Sequence, residues 1–152
     1  MAEIETAPAG QGRGMLGSVG DLQLAYAIFR ITLGVNIFFH GAIRLITGLD
    51  VWVMTQGAAF TETLLPMWSV HTFLYALPFI EVVLGALTAV GLFTRWALIG
   101  GNIMMFVLIF GNCVRQDWGT VSSNMHYVLY YVLLIAALRY NDFALDARRA
   151  AG

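Results

Sequence analysis

Most of the residues able to do chemistry in this chain lie inside apolar runs. Glu81 stands near the middle of residues 70–95, VHTFLYALPFIEVVLGALTAVGLFTR, a stretch closed by Arg95. A hydrocarbon core of about 30 Å takes about 20 apolar residues as a helix, which residues 71–93 supply, so Glu81 falls near the bilayer midplane. An ionisable side chain there costs about 2.5–3.5 kcal/mol on insertion scales and must therefore face protein and find a partner. Arg30, in the preceding apolar run, is within about 5 Å of the same depth at the rise of an α-helix. The expected arrangement is an Arg30–Glu81 pair, acting either as a buried structural ion pair or as a proton relay.

The histidines form the second group. His40 lies near the far end of the first apolar run, His71 at the start of the second, and His126 near the start of the last. In an up-and-down bundle all three share one half of the membrane, with Asn36, Arg44, Asn112, Cys113, Arg115, Asp117 and Asn124 at similar or shallower depth. His40 and His126, assisted by Arg44 or Tyr130, could donate to the two carbonyl oxygens of a quinone headgroup, with Glu81 passing protons. A bland account stands beside each: a helix–helix hydrogen bond for His40, an interfacial position for His71 and His126. Tyr127, Tyr130 and Tyr131 suit interhelical packing, and Met104 and Met105 suit core filling. The single Cys113 excludes an intramolecular disulfide, a CxxC pair and a cysteine-rich metal site. No intrinsic haem, flavin or metal is expected, although His40 and His126 lie at depths that would allow a bis-histidine haem.

These groups need helices to hold them. Hydrophobic residues make up 59% of the chain and charged ones 11%, against about 25% charged in a soluble domain. The formal net charge is −1, with no basic face for nucleic acid. The expected fold is all-α, an integral membrane four-helix bundle with crossings at residues 22–46, 71–93, 96–114 and 121–140. Between the first two, residues 47–69 are too polar and too interrupted by Gly57 and Pro66 to span, and predict one or two short helices lying along the outer surface, in a position to act as a lid. At 100° per residue Arg30, Asn36, His40 and Arg44 share a sector of the first crossing that should point into the bundle, with Gly34 and Gly41 beside it. The expected organisation is a disordered cytoplasmic tail at 1–20, a transmembrane domain at 21–141 and a cytoplasmic tail at 142–152. Arg13, Arg95, Arg139, Arg148 and Arg149 fall on one side and Arg44 and Arg115 on the other, which predicts cytoplasmic termini.

Arg30 with Gly34, the His40-Gly41 pair, Glu81 with Gly85, and the GLFTR turn at 91–95, taken in that order and spacing, resemble the DoxX family of small four-helix membrane proteins. The resemblance runs over residues 24–140. It implies a subunit of a membrane redox system in the bacterial cytoplasmic membrane, like the membrane subunit of thiosulfate:quinone oxidoreductase, and carries Arg30, His40, Glu81 and Arg95 over as matching positions. The long amino tail and the three-tyrosine last helix are not part of that pattern. The expected partners are the lipid bilayer and a redox protein or other membrane subunits. No redox cofactor motif is present, so electrons would arrive from such a partner. The alternative expectation is a structural or assembly subunit with no chemistry of its own.

Overall fold

The computed structural model describes residues 20–150; apart from Gly20, the expected amino tail lies outside them. The described chain is helical, without strands: α1 (Asp21–Thr47), α2 (Leu49–Ala58), α3 (Met67–Val90), α4 (Thr94–Val114), α5 (Trp118–Ala136), a single 3₁₀ turn (Leu138–Tyr140) and α6 (Leu145–Ala150). α1, α3 and α4 are long and apolar enough to cross a membrane. α5, at 19 residues, packs antiparallel on α4 and completes the bundle, but its first turns carry Ser122, Ser123, Asn124 and His126. α2 is the short helix expected between the first two crossings. It is packed rather than loose, with Val53 fully buried against Val70 and Leu74 of α3.

Helix ends follow local chemistry. α1 stops at Gly48, whose φ of 119° no other residue adopts cheaply, with Arg44 in its last turn. α3 starts after Pro66, then ends at Gly91 in the left-handed region, where the N–H groups of Gly91 and Leu92 both donate to Leu87 O.

Glycines set how α1 meets α3. A methyl group on Gly34 would overlap the backbone of Ala89, one on Gly85 the backbone of Phe38, and one on Gly41 would lie 2.9 Å from Glu81 Cβ. The two backbones are in contact, as small residues permit between membrane helices. The inward face of α1 is therefore Tyr26, Arg30, Leu33, Gly34, Ile37 and Gly41, all buried, whereas Asn36 and His40 are exposed at its flank. The expected polar sector is thus displaced to the edge of the interface, because close approach of two backbones leaves no room there for an amide or an imidazole. Replacing Gly85 with valine should cost about 1–3 kcal/mol through overpacking. Gly111→Ala, with only ordinary contact to Phe60, should be neutral or better. Unfolding in mixed micelles measures both, and equal effects would remove the close-approach argument.

Leu98, Met105, Tyr131 and Leu134 join α4 and α5 to the α1–α3 pair in one core. Ile28, Phe39, Val83, Phe106 and Leu129 point outward, as lipid-facing positions should.

The carboxyl tail does not trail free. Asp146 accepts from the backbone N–H groups of Phe93 (2.9 Å) and Thr94 (2.7 Å) and from the Thr94 hydroxyl (2.8 Å), so a residue distant in sequence caps the start of α4. Its own N–H donates to Gly91 O at 3.0 Å. These bonds hold Phe93 at a φ of 48°. Partial burial pushes the Asp146 carboxyl up, but the bonds from Thr94 and Phe93, with Arg149 nearby, outweigh it and leave the pKa below the ordinary value. A depressed folded-state pKa means a contribution present above the unfolded value and lost as pH falls through the folded one. Asp146→Ala should therefore cost about 1 kcal/mol at neutral pH and abolish the acid-dependent release of the tail, read by limited proteolysis between neutral pH and pH about 3.

Candidate functional site

A cavity of about 440 Å³ opens at the α2 end of the bundle, bounded by α1, α2, α3, α4 and α5. Its walls are mostly apolar, from Phe73, Leu74 and Leu77 of α3, Met105 of α4, and Trp52 and Phe60 from the α2 region. Into it project a small set of polar groups, which is the general make-up of a small-molecule site.

The innermost polar feature is an ion pair between Arg44 Nη1 and Glu81 Oε2. Glu81 is 3% exposed, and the Arg44 guanidinium also stacks over the Trp52 ring at 4.5 Å. Glu81 thus faces protein and has an arginine partner, but the partner is not the expected Arg30. Register explains the correction. Gly41 packs at the level of Pro78 and Glu81, which places Arg44 on the next turn, while Gly34 packs at the level of Gly85 and Ala89. Arg30 is accordingly level with Thr88, seven residues or about 10 Å of helix away from Glu81.

Arg30 has a different task. Buried to 1% exposure, it donates from Nη1 to Thr88 O (2.5 Å) and Ala89 O (2.7 Å), and from Nη2 to Phe143 O (3.0 Å). The first two are last-turn carbonyls of α3, orphaned by helix geometry and carrying the negative end of its dipole. The buried cation is compensated by a helix terminus rather than by a carboxylate, and it ties the carboxyl segment to the bundle.

At the rim, His40 lines the cavity on one side and, on the other, a shallow groove along the lipid-facing surface of α1 formed with Ile31, Val35, Phe39 and Ile43. Its ring meets Tyr127 edge-on at 6.5 Å, and the Tyr127 hydroxyl donates to Asn36 Oδ1 at 3.0 Å. Of the four ligand-binding candidates, His40 and Arg44 line the cavity and His126 and Tyr130 do not. The face that α5 turns inward runs through Thr120, Asn124, Tyr127, Tyr131 and Leu134, a helical i, i+4, i+7 series. His126 and Tyr130 each sit one residue, about 100°, off that face. His126 is exposed, and Tyr130 packs edge-on against Phe29 and Tyr127. His71 is half-buried against Gly57 of α2 and lies off the cavity.

Sequence reasoning passed over Trp52, Gln56 and Tyr127 as site residues. The α5 spacing could have identified Tyr127; the expected short helices over the outer end match the position of α2, but nothing local said that Trp52 and Gln56 would face a cavity. Asn112 and Arg115 close its α4 side, where Asn112 Nδ2 donates to Leu108 O at 2.8 Å. Arg115 pairs with Asp117, which also caps α5 by accepting from Thr120 N at 3.1 Å. The Thr120 N–H, then Arg115 and the Thr120 hydroxyl, hold the Asp117 carboxyl down to about 2. Among the described residues no three His, Cys, Asp or Glu side chains converge as metal ligands would.

Comparison with curated proteins and with solved structures finds no match. The family model described as DoxX matches residues 25–112, more than half of the chain, from the first turns of α1 to Asn112 on the cavity wall. With its all-helical bundle, its three membrane-length apolar helices and Arg30, His40, Arg44 and Glu81 inside the matched stretch, the chain belongs to the DoxX family of membrane proteins.

Proposed function

We propose that this chain is the membrane subunit of a redox complex and that the α2-end cavity receives a quinone or quinol headgroup. Family membership supports a redox setting, and the cavity supports the ligand class. A headgroup needs apolar walls, hydrogen-bond donors for two carbonyl oxygens and an entrance from lipid. Trp52, Phe73 and Leu77 are suitable walls; His40 is a donor at the rim, and the Tyr127 hydroxyl becomes a second one by turning its single proton from Asn36 Oδ1 to the ligand. The observation that carries the reading is that His40 lies on both the cavity and the lipid-facing groove of α1, so a membrane-dissolved molecule reaches the donors without leaving the bilayer.

A bound quinone takes up two electrons and two protons in becoming quinol. The chain's own part is to hold the ring between aromatic walls, to donate from His40 and Tyr127, and to keep an ionisable carboxyl, Glu81, in the inner wall beside Arg44. Electrons come from a partner protein. The reading includes the bacterial cytoplasmic membrane as the location, with both termini cytoplasmic. Arg95, Arg139, Arg148 and Arg149 at the α6 end, against Arg44 and Arg115 at the other, support that orientation.

Titration of the purified chain with a quinol analogue tests the site. His40→Ala and Tyr127→Phe should each weaken binding about tenfold, the worth of one hydrogen bond in a desolvated site. His126→Ala and Tyr130→Phe should change it little. Absence of saturable binding, or equal loss from all four variants, would sink the proposal. A complex that dissociates without this chain yet keeps full activity with His40→Ala would make it an assembly subunit instead.

A further inference from the structure

The two ends of the bundle treat their arginines differently. At the cavity end, Arg44 is paired with Glu81 and Arg115 with Asp117. At the opposite end, Arg95, Arg139, Arg148 and Arg149 are exposed and none has a carboxylate partner among the described residues. Asp146, which lies near Arg149, is committed to the α4 cap.

These arginines are also held in place. Asp146 fastens α6 to the first turn of α4, next to Arg95, and Arg30 fastens Phe143. Ala144 is 1% exposed against Gly91, where any side chain would collide with it. Arg149 lies over the Phe93 ring at 6.0 Å and Arg139 over Tyr140 at 4.7 Å. Around them Phe93, Trp96, Phe143 and Leu145 are exposed apolar groups. Aromatic side chains at a membrane–water boundary sit at headgroup level, and a cluster of guanidinium groups at that level attracts anionic headgroups. Guanidinium matches phosphate in shape as well as in charge.

From this asymmetry we infer that the α6 end is a docking surface for anionic phospholipid, with Arg95, Arg148 and Arg149 binding the phosphate headgroups and Phe93 and Trp96 seated among the upper acyl chains. The tail docking seen here is what builds the surface, since it brings arginines distant in sequence beside Arg95. The inference does not depend on what the cavity binds.

Trp96 reports on this surface and Trp118, exposed at the start of α5, on the opposite end. The full chain is reconstituted in phosphatidylcholine vesicles with either brominated phosphatidylglycerol or brominated phosphatidylcholine as quencher. Trp96→Phe and Trp118→Phe variants isolate each signal by difference. The expected result is about a fivefold preference for phosphatidylglycerol at Trp96 and none at Trp118. Arg148→Gln with Arg149→Gln should bring Trp96 to parity, while the lysine pair keeps the preference because the charge remains. Parity at Trp96 in the unaltered protein, equal preference at both ends, or a preference indifferent to the glutamine pair would overturn the inference. Reversal by free inorganic phosphate would also overturn it, by making this a site for a soluble anion.

Discussion

Replacing Arg44 with methionine should lower the unfolding free energy in mixed micelles by about 3–5 kcal/mol, the loss expected when one member of a buried ion pair is removed. Glu81 would be left 3% exposed with no counter-charge, and the Trp52 ring would lose the guanidinium stacked at 4.5 Å. The double variant Arg44→Met, Glu81→Leu should recover most of the loss, since an apolar pair of similar volume does not need desolvated charges to be matched. A single variant within about 1 kcal/mol of the parent would mean that the pair contributes nothing measurable. Because both groups face the cavity, the same double variant separates stability from ligand binding. It should fold well and bind a quinol analogue poorly if the inner wall needs its polar pair.

The second large effect lies at the other end of the bundle. Arg30→Leu should cost at least about 3 kcal/mol, since three charge-assisted hydrogen bonds to Thr88, Ala89 and Phe143 disappear and their carbonyls stay behind. It should also release the carboxyl segment, seen as tryptic cleavage at Arg139 under conditions that leave the parent intact. Arg30→Lys should restore little. One ammonium lacks the planar fork that reaches two carbonyls of α3 and a third on a separate segment. If Arg30→Leu unfolded no more readily than the parent and its tail stayed protected, Arg30 would not be the fastening described here. Glu81 is seven residues, about 10 Å, from that site, so the two variants should be additive.

What could be read from one sequence and what could not divide along a physical line. Apolar length and turn residues are local properties, and they placed the four long helices, three of them apolar enough to cross a membrane, and the α3–α4 turn at Gly91 to within a few residues. The scarcity of charge inside those crossings marked Glu81 as a residue needing an arginine, and its carboxylate does meet one. Which arginine is a question of register between two helices, and register is decided by where Gly34, Gly41 and Gly85 allow backbones to touch. Depth counted from helix ends cannot see that, so Arg30 and Arg44 exchanged roles.

Azimuth posed the same difficulty. The helical period says that His126 and Tyr127 point about 100° apart, but only packing against α4, where Tyr131 fills the space left by Gly101, says which of the two looks inward. The docking of the tail was not legible at all, because a polar, arginine-rich segment carries no local sign that Asp146 will cap a helix begun some fifty residues earlier. The sequence by itself thus determined that this is a membrane bundle with a buried acid in need of a cation. The tertiary structure alone decided the partner, the cavity and the docked tail. Hydropathy and periodicity act within one helix, whereas an ion pair, a cap and a cavity each require two helices to agree on their position.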